Sequence, residues 1–466
     1  MRAGVYCADI TPPIGVHLPV IFARGPEGMQ LKGAHDPVQA RALVLSEGDT
    51  TVAVVATDLA GLRSDAIAYI RRRVQEETGI PGSNVLVTNT HTHSAGDIRS
   101  PFGMPDHPVT WVRKERIVGA VVMAHRHMVD GVKVRYAVGH EASVLYNRRK
   151  RVPGGVCTLT STRSRFNLGI TRFYEERLGV PRPKPPELPE TIEMDGPVDG
   201  QTSLVLFEDP TGRPVASILV YACHPVILSL KDEHISADFV GPATALIERE
   251  LGAPCLFLQG TSGDVRPLYD ANTYAEAVRV GRAVGAEALR SLADVKDAGS
   301  TRGPGRLRLA AKPVELRLRS LVGPKEVTRK RLEELQKQWE ELRGGDLSLA
   351  QRRAIVDELV TLRWLQSIDV RVSSEDVARG AVTEEVQVLQ IGDVGFVALP
   401  GEIFVETGMW IKRQAPFPLT IPISLPNDTG YRPTREEFEL GGYEVSTSVV
   451  QPGSAEKLAS EALTLV

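Results

Sequence analysis

The sequence is poor in cysteine. Its four thiols, Cys7, Cys157, Cys223 and Cys255, are widely scattered and form no CxxC pair. That argues against a disulfide framework and against a cysteine-rich zinc site. No apolar run approaches the length of a membrane span, so no integral membrane segment is expected. The opening Met1 to Asp9 lacks the apolar stretch and cleavage site of a secretory leader. A soluble, cytoplasmic protein is therefore the expectation. Charge of one sign is missing too: a net charge of -3 gives no electrostatic reason to expect nucleic acid or an anionic membrane. Neither an internal repeat nor a low-complexity tract is visible.

What remains is globular in character. At 466 residues and 42% hydrophobic, the chain can bury a sizeable core. Apolar runs at 40–45 and 51–58, a helical period over 64–78, and a third run at 84–88 give β-α-β order, which implies a parallel pair with a right-handed crossover. The same vocabulary recurs: a hairpin at 201–207 and 214–223, a helix at 241–251, a strand at 254–259, a helix at 274–292. It returns after 307 with a strand, a hairpin at 384–391 and 394–399, a helix to about 413 and a strand at 421–425. The expectation is a single α/β domain over 1–466, a mixed sheet with surrounding helices and the site at the C-terminal ends of the strands. Three segments interrupt it: a Gly/Pro-rich arm up to Gly33, an irregular span over 148–199, and a charged stretch over 324–372. The last reads as an inserted αα-hairpin with solvated faces.

Chemistry concentrates after the run Val85-Leu86-Val87, in Thr90-His91-Thr92-His93-Ser94. Alternate residues of an extended segment project to one side, so His91 and His93 can serve one site. Taken alone, such a pair is as readily the polar end of a strand. However, five apolar runs end in polar residues: Asp58, His91 with His93, His224, Asp264 and Glu402. In α/β sheets the functional crevice lies outside the carboxyl ends of the strands. Two histidines and a glutamate form a ligand set of catalytic zinc sites that keep a position open for water. Zinc is favoured over magnesium or calcium because imidazole dominates the set. Such an ion acidifies its water and polarises a carbonyl, which suits amide or ester hydrolysis without a protein nucleophile. Asp58 reads as a supporting carboxylate rather than a ligand.

With those residues in place, the sequence resembles the catalytic domain of the neutral/alkaline, non-lysosomal ceramidases. The matching motifs run nearly end to end: Asp9-Ile10-Thr11, His35-Asp36-Pro37, Ala40-Arg41-Ala42, Thr90-His91-Thr92-His93-Ser94, Asn147-Arg148, Cys223-His224-Pro225, Gly263-Asp264-Val265, Pro400-Gly401-Glu402, the block Gly430 to Phe438, and Tyr443-Glu444. The resemblance implies zinc bound by His91, His224, Glu402 and Tyr431. It implies that His93, Arg148 and Tyr443 line the site and handle the amide carbonyl and the proton transfers; Asp264 joins these catalytic candidates through the Gly-Asp-Val match. Tyr431 as a ligand comes from the resemblance alone.

Two departures from the family pattern bear on substrate. Where the family carries a serine after Gly-Asp-Val, this chain has Arg266, with Ser262 close by but out of register; both are substrate-binding candidates. The chain also ends at Val466, leaving no room for the family's C-terminal β-sandwich. A zinc-dependent amidohydrolase acting on a small-molecule amide or lipid-like substrate, not necessarily ceramide, is the leading expectation. An ester or lactone hydrolase using the same water is the runner-up. A non-catalytic metal-binding scaffold, with the αα-hairpin as its contact surface, is the third; the polar ring of His93, Arg148 and Tyr443 speaks against it.

Overall fold

The computed structural model describes residues 1–18, 29–96, 98, 108–152, 155–158, 196–228, 233–294, 306–320, 325–342, 358, 372–426 and 430–466. Three four-stranded sheets, rather than one, organise these residues. The first holds β1 (Arg2–Asp9), β2 (Gln39–Glu47), β3 (Thr50–Thr57) and β4 (Val85–Asn89). The second holds β5 (Lys133–His140), β6 (Gln201–Glu208), β7 (Pro214–Tyr221) and β8 (Cys255–Gln259). The third holds β9 (Leu307–Arg317), β10 (Ala381–Ile391), β11 (Val394–Leu399) and β12 (Leu419–Ser424).

Each sheet follows one plan. Strand one pairs antiparallel with strand two, and strand two with strand three. Strand three then pairs parallel with strand four. A helix bridges that parallel pair in every case: α1 (Ser64–Thr78), α3 (Val240–Leu251) and α5 (Val405–Gln414). A second helix follows the fourth strand: α2 (Pro108–Arg126), α4 (Tyr274–Asp294) and α6 (Ser454–Leu463). The molecule is thus a threefold repeat of β-β-β-α-β-α. The expectation of no internal repeat is corrected here, because the repeat lives in topology and not in residues.

The packing follows from the strand period of two. One face of each sheet points to a shared centre, where Leu43, Val54 and Leu86 meet Phe207, Ile218 and Leu256 and also Leu389, Phe396 and Ile421. The other face is covered by the unit's own two helices. Ile67, Ile70, Ile117 and Val121 cover the first sheet, and Val240, Ile247, Val280 and Val284 the second. Ile411, Leu458 and Ala462 cover the third. Strands buried on both faces read as continuous apolar runs, which is why most were legible. β1 was not anticipated: its residues alternate poorly between exposed and buried. Among the described residues no helix is long and apolar enough to cross a membrane.

Strand one runs parallel to strand three because two antiparallel steps restore direction. The ends of β1, β5 and β9 therefore share an edge with the ends of β3, β7 and β11. All three long interruptions seen in the sequence leave from that edge, between strands one and two. They are the Gly/Pro-rich arm, the irregular span and the charged stretch. Of the expected αα-hairpin the first helix is present (Lys325–Leu342), with Leu332 and Leu335 buried; its second helix lies outside the described residues, as do 159–195 of the irregular span.

Candidate metal centre

At the carboxyl edge the three parallel pairs end in register: Thr57 opposite Asn89, Tyr221 opposite Gln259, Leu399 opposite Ser424. Three residues beyond the third strand of each unit stand Ala60, His224 and Glu402. The second and third units thus place an imidazole and a carboxylate at equivalent positions, while the first offers a backbone carbonyl. That carbonyl is used. Ala60 O accepts from His91 Nδ1 at 2.6 Å, and in the second unit Ser262 O accepts from His224 Nδ1. Both rings are thereby fixed with Nε2 bare and turned inward, the arrangement a metal-binding histidine needs. His91 reaches its place through a left-handed backbone (φ 64°), a costly conformation for a side chain of this size.

The inward atoms converge. His224 Nε2 lies 3.0 Å from Glu402 Oε2, and His91 Nε2 lies 3.4 Å from the same oxygen. His93 Nε2 stands 3.3 Å from His91 Nε2. Among the described residues, His91, His93 and His224 are the one group of three or more such side chains with all donor atoms within 4.8 Å of one another. Zinc bonds of about 2.0–2.1 Å in a tetrahedron set neighbouring donors about 3.3 Å apart, close to these separations. Bare nitrogens facing each other across such a gap repel unless a proton or a cation stands between them. The donor set therefore fits a small, nitrogen-loving divalent ion. His91, His224 and Glu402 are all at most 4% exposed. Burial lowers the His224 imidazole to about 4 and holds His93 well below its ordinary value, so both rings are neutral at physiological pH. Burial opposes ionisation of Glu402, but the imidazoles of His91 and His224 outweigh it and hold the carboxyl well below the usual range.

Tyr431 joins through the backbone: Glu402 pairs directly with it in a short parallel ladder. Its ring is stacked 6.5 Å from that of His224 and meets Tyr443 edge-on at 5.6 Å. Burial pushes its phenol well above the ordinary value. Arg148 crosses the Tyr431 ring at 5.2 Å and donates from Nη2 to Gly263 O at 2.8 Å. Its Nε pairs with Glu444 at 2.7 Å, and Glu444 also holds Arg149 at 2.5 Å. Glu444, fully buried, was read in the sequence as part of the Tyr443-Glu444 motif but was given no role.

The remaining candidates stand further back. Asp264 accepts from Val405 N at 2.8 Å and from Asn147 Nδ2 at 2.7 Å, and burial raises it to about 6. Oδ1 ties the loop after β8 to the start of α5, and Oδ2 ties the same loop to Asn147. Ser262 turns its hydroxyl to Gln259 at 2.6 Å. Asp58 pairs with Arg41 at 3.0 Å and accepts from Gln39 N, a supporting role as expected. Arg266 lies near enough to His93 for its charge to help keep that ring neutral. The structure therefore brings His91, His93, His224, Glu402, Tyr431, Tyr443 and Arg148 together, with Arg266 beside them and Asp264 and Ser262 behind.

No family model matches the chain. Over 248 residues it is 24% identical to neutral ceramidase B of Dictyostelium discoideum, a match covering 50% of this chain. That match takes in 31% of the relative, so the chain spans about a third of that protein's length. The crystal structure of neutral ceramidase from Pseudomonas aeruginosa superposes with a TM-score of 0.67 at 17% identity, over 100% of this chain and 73% of that one. A ceramidase complexed with C2 gives 0.67 at 16% identity, over 100% and 74%. The chain is neutral-ceramidase-like in fold and, more distantly, in sequence.

Proposed function

We propose that the chain is a zinc-dependent hydrolase that cleaves an amide (N-acyl) bond with a metal-activated water. The observation that carries this reading is the convergence of His91 Nε2, His224 Nε2 and Glu402 Oε2 at 3.0–3.4 Å, with both Nδ1 atoms committed to carbonyls. In it, His91, His224, Glu402 and Tyr431 hold the ion. When bound, zinc would supply Lewis acidity and a water acidified towards neutrality. His93, neutral and half-buried, takes the proton released as water adds and returns it to the departing nitrogen. Arg148, fixed by Glu444 and Gly263, keeps Tyr431 oriented by lying across its ring. The hydroxyl of Tyr443 serves as a donor to the oxygen on which charge develops.

Two features leave the substrate broader than ceramide. The likeness to ceramidases in sequence is slight, 24% over half of this chain, and the charge of Arg266 stands near His93. A small-molecule or lipid-like amide is the class proposed. The grouping of His93 with His91 and His224 favours a second donor set, in which His93 replaces Tyr431 on the metal. The decisive experiment is metal analysis of the purified chain, followed by turnover of a panel of N-acyl amides, esters and lactones with and without chelator. One zinc per chain with chelator-sensitive amide cleavage is the expected result. Cleavage of esters or lactones only would move the activity to that class. Stoichiometric zinc without any turnover would make the protein a metal-binding scaffold.

A further inference from the structure

Most arginines withdrawn from solvent in this fold are matched by acids, and Arg113 by the carbonyls of Ile10 and Ala95. Arg41 meets Asp58 and Glu248, Arg148 meets Glu444, Arg149 meets Glu437 and Glu444, and Arg432 meets Glu384. Arg266 breaks the pattern. It is half-buried, and its one hydrogen bond runs from Nη2 to the Tyr269 hydroxyl at 3.3 Å. Its Nε–H is buried with no acceptor among the described residues. Directly opposite it in the antiparallel pair of Leu145–Asn147 with Val265–Pro267 stands Tyr146. Residues so paired present their side chains on one face of the ladder, within reach of a shared ligand. Tyr146 is 1% exposed, and its hydroxyl too has no partner among the described residues.

Two buried donors, one of them on a permanent cation, therefore face the same side of one ladder without an acceptor among the described residues. Buried donors are rarely left so, because each has given up its bonds to water. Desolvated guanidinium N–H and phenol O–H together are matched by a carboxylate, which can accept from both. Tyr146 is two residues from Arg148, and Val265 O accepts from His224 N at 3.1 Å, so this ladder borders the metal centre.

We propose that Arg266 and Tyr146 form an anion-recognition subsite beside His93, and that the amide substrate carries a carboxylate on its amine half, as an N-acyl amino acid does. The placement on the amine half rests on the hydrolase reading, in which His93 protonates the departing nitrogen. The reaction is balanced by water alone: the C–N bond breaks, oxygen joins the acyl carbon, and the proton ends on the amine of the released amino acid. Arg266 is then a specificity residue.

The test uses levulinate, the ketone counterpart of N-acetylglycine that has no amide to cleave, and its uncharged partner levulinamide. Binding of each to the zinc-loaded full chain is measured by NMR titration for the unaltered protein, R266Q, R266K and Y146F. Levulinate is expected to bind roughly 10- to 100-fold more tightly than levulinamide. R266Q should erase that preference, R266K keep part of it, and Y146F reduce it a few-fold. Equal binding of the two ligands, or a preference that survives in R266Q, overturns the proposal. Turnover of N-acylglycines and of the matching neutral amides is read separately. A levulinate preference without turnover of any amide supports the subsite while removing the hydrolase reading.

Discussion

Glu402 is asked to stay ionised while only 4% exposed, and its neighbours make that tolerable. Removing the negative charge while keeping the shape should therefore separate ligands from bystanders. In Glu402→Gln the amide cannot replace an anionic donor, and zinc affinity should fall by roughly 100-fold or more, read by metal analysis against a competing chelator. His93→Ala should keep the metal and lose roughly 10²- to 10⁴-fold in kcat, the range for a missing proton-transfer group. The reverse result, with zinc lost from His93→Ala, would put His93 on the ion in place of Tyr431. At this scale the sequence was informative where chemistry is carried by rare residue types. His91, His93, His224 and Glu402 were visible as polar ends of apolar runs. Tyr146 was not, and Glu444 was seen only as part of a motif, because a phenol without a partner among the described residues and a carboxylate bridging Arg148 to Arg149 are defined by contacts between segments far apart in the chain.

Elements are joined here by close helix contacts and by buried acids at turns, and each gives a stability test. Gly281 lies on α4 where it crosses α3: a Cβ there would come within 2.3 Å of Phe239 O and 2.9 Å of Ala243 N. Both are backbone atoms and cannot swing aside, so Gly281→Ala should destabilise by about 1–3 kcal/mol in denaturant unfolding. Gly119 in α2 has open space on the same criterion, and Gly119→Ala should stabilise by about 0.5–1 kcal/mol through helix propensity. Asp238 precedes α3 with a left-handed backbone (φ 56°) and accepts from Leu228 N and Phe239 N. Burial raises its carboxyl from 3.8 to about 7. A raised carboxyl binds its proton more tightly folded than unfolded, so its contribution to stability is present below about 4 and is lost as pH rises towards 7. The stability of Asp238→Asn relative to the unaltered chain should therefore improve steadily between pH 4 and 8. A flat difference across that range would contradict the assignment. The helices and most strands were legible as periodicities of 3.6 and as apolar runs. β1 was hidden because an edge strand half in water shows neither pattern.

The whole molecule is three copies of one topology closed around a common core, and that plan was invisible in the sequence. Equivalent positions carry Ala60, His224 and Glu402, which share no chemistry, and insertions of unequal length separate strands one and two of each unit. What the units share is direction: every parallel pair delivers its loops to the same edge. Among the described residues the candidate ligands come from all three, with His91 from the first, His224 from the second, and Glu402 and Tyr431 from the third. A metal there would fasten the units at one end as the apolar centre fastens them along their length. Binding to the folded chain alone stabilises it by about 4 kcal/mol when free zinc is a thousandfold above its Kd. Chelation should accordingly lower the melting temperature by several degrees. Because Phe207, Phe396 and Leu43 pack in one cluster, the transition should move as a single step. Calorimetry of the zinc-loaded and chelated chain, with tryptophan fluorescence followed in parallel, distinguishes the outcomes. A chelated protein that melts in two steps would mean that the common core does not couple the units. Unchanged melting with stoichiometric zinc in place would mean that the ion rests on one loop and not at the junction of three.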